Sequence, residues 1–272
     1  MRVVRIALSL VLIFPSLLPA SPRFHRKTQQ TSATSSSATT TLQQSLAALA
    51  PNLALTDVTL TGLVRRIAGS DDQSGSAVFK ALSSGAARAD LSLSSGTRSE
   101  LQNPSATSGM PTGSWSGPDR VAHPIVFQNL FAEPAWFFPA FAISRRLAAG
   151  YVATKVGIES IDGNDVDHIS VCQSSSLPTS VGTPSVQHLT QVEFFLDPAT
   201  LLPLAISFNT HPDDNALLDI PVEIRFSDYK VVNGVQVPFH LQKFFNGSLS
   251  LDVQVQNVVI NSGLSASEFA IQ

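Results

Sequence analysis

The sequence is poor in cysteine, in charge and in the short motifs that mark catalytic chemistry. Its single cysteine, Cys172, excludes an internal disulfide framework and any cysteine-based zinc cluster, and is expected to sit in a strand as a small apolar residue. Charged residues make up 14% of the chain against 43% hydrophobic, which excludes a disordered acidic chain. The net charge of -3 excludes a basic nucleic-acid binder and does not favour anionic lipid. No Walker loop, dinucleotide fingerprint or His-Glu zinc motif is present, so no cofactor and no enzymatic activity are expected. The apolar run at residues 6–18 is shorter than the ~20 residues a spanning helix needs.

What the chain does have is alternation. From residue 224 to 259, apolar side chains recur every second position through Ile224 and Phe226, then Val235, Val237, Phe239 and Leu241, then Leu249, Leu251, Val253 and Val255. A period of two belongs to strands with one buried and one wet face. Asn233-Gly234 and Asn246-Gly247 divide this stretch into three pieces. Asn-Gly favours the type I′ turn, so the expectation is a three-strand antiparallel meander.

The N-terminus points to a compartment. Arg2 and Arg5 precede the apolar run, and Leu18-Pro19-Ala20 followed by Ser21 offers a cleavage point, so residues 1–20 are expected to be a secretory signal. The product is then periplasmic or secreted, with no transmembrane span after cleavage. Residues 21–41 are expected to be a disordered Ser/Thr-rich leader. A short helix is expected over residues 42–49, capped by Thr41 and ended by Pro51.

Between residues 55 and 93 partial alternation is punctuated by Gly75, Gly85 and Gly96, the rhythm of consecutive antiparallel strands. Strands are expected again over residues 151–161 and 166–173, about the Asp162-Gly163 turn, and over residues 189–196 and 204–208, about a proline-set turn. Residues 178–184 read as a loop. Ser265 with Glu268 reads as a capping box for a short terminal turn.

Residues 123–150 are the least strand-like part and carry the densest aromatic content. Pro134 and Pro139 break them into short helices. Two roles are open for these aromatics: ordinary core plugging the open face of a sheet, or a movable lid over an apolar cavity.

Four patterns suggest chemistry, and each has a plainer explanation. Asp162, Asn164, Asp165, Asp167 and His168 resemble the start of a calcium loop, yet Asp167 stands where that loop needs glycine and Gln173 where it needs glutamate. His211 with Asp213 and Asp214 offers metal donors, in a turn where polar residues are expected anyway. Gly113-Ser114-Trp115-Ser116-Gly117 has Trp115 where a nucleophile elbow needs serine. Asn246-Gly247-Ser248 matches a glycosylation acceptor that the turn already explains.

A secretory signal, a Ser/Thr leader, a short helix and many strands, followed by an aromatic AWFFPA, an LDPATLLPL turn and FSDYKVVNGVQVPFHLQKFFNG, together resemble the LolA/LolB-like outer-membrane lipoprotein carrier superfamily. The resemblance spans residues 42–272 and is best from Val192 onward. It implies a mainly β (α+β) fold, a single domain over residues 42–272 in which a curved antiparallel sheet forms an unclosed half barrel with short helices covering its concave face. It further implies a non-enzymatic carrier or binding protein for a hydrophobic ligand such as a lipid or acyl chain. The alternative is a cell-envelope scaffold with a packed core and an envelope protein as partner. The cavity and lid residues expected on this reading are Phe127, Phe131, Trp136, Phe137, Phe138, Phe141, Phe226, Val237, Phe239 and Leu241. Carriers of this family hold the lid with an arginine from an early strand, for which Arg65, Arg66, Arg88 and Arg98 are candidates.

Overall fold

The computed structural model describes residues 35–51, 54–103, 111–174 and 185–270. Six strands, β1 (Asp57–Ala68), β2 (Asp71–Leu82), β3 (Ala87–Leu93), β4 (Gly96–Asn103), β5 (Thr112–Ser116) and β6 (Ala122–Pro124), pair in succession. Seven more do the same: β7 (Tyr151–Ile161), β8 (Asn164–Gln173), β9 (Val192–Leu196), β10 (Pro203–Thr210), β11 (Ile220–Val232), β12 (Val235–Phe245) and β13 (Ser248–Ile260). The two meanders join where β1 pairs antiparallel with β13, giving one 13-stranded sheet whose edges are β6 and β7. These edges are consecutive in the chain and unpaired with each other, so the sheet is an open half barrel. The segment between them has to cross the opening, and it is the aromatic one.

The predicted turns are present. Asp162, Asn233 and Asn246 have φ near +49°, and the glycines that follow have φ of +84°, +82° and +77°. Positive φ at both central residues is the type I′ conformation, whose twist matches that of the flanking strands. β-bulges in β13, opposite Thr61/Gly62 of β1 and opposite Lys243/Phe244 of β12, and in β7 between Lys155 and Gly157 bend the sheet further. At the first of these the strands approach so closely that a Cβ on Gly62 would collide with the Gln254 carbonyl.

Asp57 fastens the seam between the meanders. Its buried carboxylate accepts from Ser262 N at 2.7 Å, Ser262 Oγ at 2.7 Å, Gly263 N at 3.0 Å and Thr56 Oγ1 at 3.0 Å. Burial alone would raise its pKa, but the bonds from Ser262, Gly263 and Thr56 outweigh that and hold it below the ordinary value.

One hydrophobic core fills the concave side. Val58, Leu60 and Val64 of β1, Ile206 of β10, Ile224 and Phe226 of β11, and Val235, Val237 and Leu241 of β12 point inward onto it, as the alternation predicts. Helix α1 (Ser35–Leu49) lies on this side and packs against β7 and α2 (Pro139–Arg146), burying Ala38, Leu42, Ser45 and Leu49.

Several expectations are corrected. Helix α1 begins at Ser35 rather than Leu42, so residues 35–41 are helical rather than part of a disordered leader; Ala38 is fully buried, giving the core an anchor one turn before Leu42. Thr41 is therefore no cap: its hydroxyl, like those of Thr39 and Thr40, donates back to a carbonyl four residues earlier. Residues 186–189 form a single helical turn, α3 (Val186–Leu189), capped by Ser185, before β9 starts at Val192. Glu268 does not cap the terminal 3-10 turn; it reaches Lys80 at 2.5 Å. Residues 1–34, with the signal and the rest of the leader, and the loop at 178–184 lie outside the described residues.

Candidate functional site: the concave face

The aromatic segment enters the half barrel as a 3-10 turn (Phe127–Phe131) and leaves it as α2. Asn129 ties the first turn to the β10–β11 connection: its Nδ2 donates to the His211 carbonyl at 2.8 Å and its Oδ1 accepts from His211 N at 2.8 Å. Gln128 Nε2 adds a bond to the Pro212 carbonyl at 2.9 Å. Beyond this point the segment sinks into the core. Phe137 stands 5.1 Å from Phe79 of β2 and edge-on to Trp136 at 5.6 Å, while Phe138 and Phe141 meet edge-to-face at 4.9 Å. Such pairs add about 0.5–1.5 kcal/mol each to the burial of their area.

The plug carries its own buried charge cluster. Glu133 Oε1 accepts from Ala135 N at 3.0 Å and from Arg145 Nη1 at 3.1 Å. Arg146 Nη1 lies 2.8 Å from Oε2 as an ion pair, off the line of a hydrogen bond, and its guanidinium covers the Tyr151 ring at 5.2 Å. Burial would raise the Glu133 pKa, but the two guanidinium charges and the Ala135 N–H prevail and hold it low; burial lowers that of Arg146. None of the early-strand arginines holds the plug through an ion pair. Arg65 pairs with Asp72 and Arg88 with Asp90, whereas Glu133 is bound by Arg145 and Arg146 of the plug itself.

Among the described residues, two adjoining cavities lie beside the plug. One, of about 310 Å³, lies between Gln102 of β4, Phe208 of β10 and Val222 of β11, with His211 at one end. The other, of about 250 Å³, lies between Arg66 of β1, Phe79, Leu91 of β3, Arg98 of β4 and Leu251 of β13. They adjoin, since Glu100, Trp115, Trp136 and Lys243 line both. Lys243 Nζ stands over the Trp136 ring at 4.8 Å and divides them.

The ten residues expected to form cavity and lid fall into three groups. Trp136 lines both cavities. Phe137, Phe138, Phe141, Phe226, Val237 and Leu241 are buried together in the core, with Phe239 half-buried against it under Lys230 Nζ at 4.2 Å. Phe127 is exposed and Phe131 half-buried, the two rings packed edge-to-face at 5.1 Å.

Other candidate groups are rearranged or dispersed. The calcium-like set is split: Asp162 pairs with Arg225, Asp167 with Lys155, and His168 bridges Glu159 and Glu193 on the convex face. His211 is not grouped with Asp213 and Asp214. Its donor-capable neighbours are His188 and Asp219, the three ligand atoms lying within 4.8 Å of one another. Their atoms are already engaged: His188 Nε2 bonds Asp219 Oδ1 at 2.8 Å, and His211 Nδ1 bonds the Leu218 carbonyl at 3.2 Å. Residues 113–117 fall in β5 and its exit, and Asn246 sits in its type I′ turn. Cys172 lies half-buried in β8 as expected, its thiol pKa raised by burial and by Glu193.

Arg66, Arg98 and Lys243 were not singled out together by the sequence, yet a signal was there. Lys243 continues the inward series Val235, Val237, Phe239, Leu241, and Arg66 continues Leu60, Gly62, Val64. A charge on the apolar parity of a strand departs from the buried pattern, and here both charges fall on a cavity wall.

No family model matches the sequence, nor does any curated protein. Solved structures do match. A Vibrio parahaemolyticus domain described as an outer-membrane lipoprotein-sorting protein is similar with a TM-score of 0.57 and 14% identity, over 87% of this chain and 97% of that one. A DUF1329 family protein from Desulfovibrio piger gives 0.56 and 11%, over 87% and 98%. A LolA superfamily protein from Nitrosomonas europaea gives 0.53 and 12%, over 86% and 97%. At these identities the likeness is one of fold, and this chain shares its fold with these three proteins, a LolA superfamily member among them.

Proposed function

We propose that the protein is a non-enzymatic, extracytoplasmic binding or carrier protein for a hydrophobic ligand, a lipid or acyl chain, held in the two adjoining cavities. The observation that carries this reading is the cavity pair itself: about 310 and 250 Å³, meeting at Trp136 on the concave side of an open sheet. Ligand sites are concave, largely apolar and of a few hundred Å³. Trp136, Phe79, Leu91, Phe208, Val222 and Leu251 supply apolar wall, and burial of a chain against them gains roughly 25 cal/mol per Å². The lipoprotein-sorting description of one protein of the same fold supports the same class of ligand. Residues 1–20 act as the signal, and the chain from helix α1 onward serves as one domain. Among the described residues no helix is long and apolar enough to cross a membrane.

The test is native mass spectrometry of the mature chain purified from cells, with displacement of a fluorescent fatty acid. Retained lipid and saturable displacement are expected. The absence of both overturns the reading and leaves the second one, an envelope scaffold. That alternative is supported by the packed core around Phe137, Phe138 and Phe141 and by a convex-face groove of about 770 Å³ running past Phe195 and Phe244.

A further inference from the structure

The described lysines and arginines are distributed unevenly between paired and unpaired states. Arg65, Lys80, Arg88, Arg145, Arg146, Lys155 and Arg225 each reach a carboxylate. Arg66, Arg98 and Lys243 reach none, and all three line the 250 Å³ cavity. The register explains the placement. Arg66 is opposite Leu251 across β1 and β13, Leu251 is opposite Lys243 across β13 and β12, and Arg98 is opposite Leu91 across β4 and β3. Two cations thus flank Leu251 on a single rung of the sheet, and the third faces in from the β3–β4 side.

The arrangement is unfavourable by itself. Arg66 Nη1 and Arg98 Nε are buried with no hydrogen-bond partner. Burial, and then the nearby charge of Arg98, lower the pKa of Arg66, and the opposing charge of Asp71 does not reverse this. The one carboxylate on the cavity wall, Glu100, is exposed and accepts from Gln102 Nε2 at 3.4 Å, so the wall carries more positive than negative charge. The other cations without a carboxylate fare differently: Lys230 covers the Phe239 ring, and Arg120 lines a separate recess. A chain of net charge -3 therefore gathers unpaired positive charge on the wall of a partly apolar cavity.

We propose that this cavity binds a single-chain amphiphile with an anionic oxygen headgroup, the headgroup between Arg66, Arg98 and Lys243 and the chain along Trp136 towards the adjoining cavity. Guanidinium forks match phosphate and carboxylate oxygens two bonds at a time, and such charge-assisted bonds are the strong ones in a partly desolvated site. The proposal rests on the carrier reading and narrows its ligand. A net charge of -3 does not oppose this, because the positive charge that would receive such a ligand is local.

The two tryptophans of the chain, Trp115 and Trp136, both line this cavity, so intrinsic fluorescence reports binding directly. Decyl phosphate, decanol and inorganic phosphate are titrated into the mature protein, followed by tryptophan emission and calorimetry. Decyl phosphate is expected to bind at least ten times more tightly than decanol, with the ratio shrinking as salt is added. In Arg66→Gln/Arg98→Gln that ratio is expected to fall towards one. In Arg65→Gln, which removes a neighbouring arginine paired outside the cavity, it is expected to stay where it is. The double variant without ligand is expected to melt at least as high as the parent, because two unpaired, mutually repelling charges are gone. Equal binding of decyl phosphate and decanol by the parent overturns the headgroup proposal and leaves the carrier reading standing. Failure of both chain-bearing probes to bind overturns the two together. Inorganic phosphate bound as tightly as decyl phosphate also overturns the proposal, since the site would then take a free anion.

Discussion

The concave face has two sides that solve opposite problems with the same kinds of residue. On the α1–α2 side, aromatic rings close on one another and the buried carboxylate of Glu133 is shared by Arg145 and Arg146. On the β3–β5 side, Trp115 is 46% exposed, Arg66 and Arg98 face a cavity without a carboxylate partner, and the wall stays unfilled. Closely packed rings and a buried carboxylate matched by two guanidinium charges mark the first as structural. Space and unpaired charge mark the second as the place where stability was given up, as functional sites commonly require.

The largest effect separating the two is expected from truncating a plug ring. Phe137 is fully buried against Phe79 and Trp136, so Phe137→Ala should lower unfolding stability by about 4 kcal/mol in urea titrations. Trp115→Ala on the open side, which loses a half-exposed ring stacked on His123 at 4.4 Å, should change it by no more than about 1 kcal/mol. Equal losses would mean that the β3–β5 wall is as much core as the plug is.

Charge should separate them as sharply. Glu133→Gln leaves Arg145 and Arg146 facing a neutral amide in a buried position, and removing one partner of a buried ion pair costs about 3 kcal/mol or more. Thermal melts of this variant beside Arg66→Gln/Arg98→Gln would set the contrast directly, one falling steeply and the other not at all.

How much of this was legible in the sequence depends on the range of the signal. The type I′ turns at Asp162-Gly163, Asn233-Gly234 and Asn246-Gly247 were readable because a turn is encoded by adjacent residues. The inward parity of Val235, Val237 and Leu241 was readable because a strand repeats every two. The half barrel came through resemblance. The start of α1 was misread because Ser and Thr are weak helix formers and the burial of Ala38 is a tertiary fact. The grouping of Arg66, Arg98 and Lys243 depends on the pairing of β1 with β13 and of β3 with β4, and His211 met His188 and Asp219 through a fold-back of the chain. Neither is a local property of the sequence.

The seam that carries both sides should respond to acid. Asp57→Ala removes the acceptor shared by Ser262, Gly263 and Thr56 and should cost about 2 kcal/mol at neutral pH. The folded-state pKa of Asp57 is depressed, so its contribution is present above the ordinary value of 3.8 and is lost as pH falls below that value through the folded-state pKa. Stability measured against pH should therefore fall less steeply below 3.8 in the variant than in the parent. Parallel curves would show that the carboxylate is not what holds β1 to β13.

The smallest expected effect is the most pointed, because Lys243 stands on the boundary between the two sides. Its Nζ lies 4.8 Å from the Trp136 ring, and Trp136 belongs at once to the plug and to both cavities. Lys243→Met keeps an unbranched side chain over the ring and removes the charge, and no carboxylate is left unpaired by the change. The cation–π contact at a partly exposed site is worth about 0.5–1 kcal/mol, and relief from the other cavity cations offsets part of it. The net loss should therefore stay below about 1 kcal/mol in urea titrations of the ligand-free protein. A loss as large as that of Glu133→Gln would mean that Lys243 pins Trp136 as part of the plug. The division into a sealed side and an open one would then have to be redrawn on the far side of Lys243.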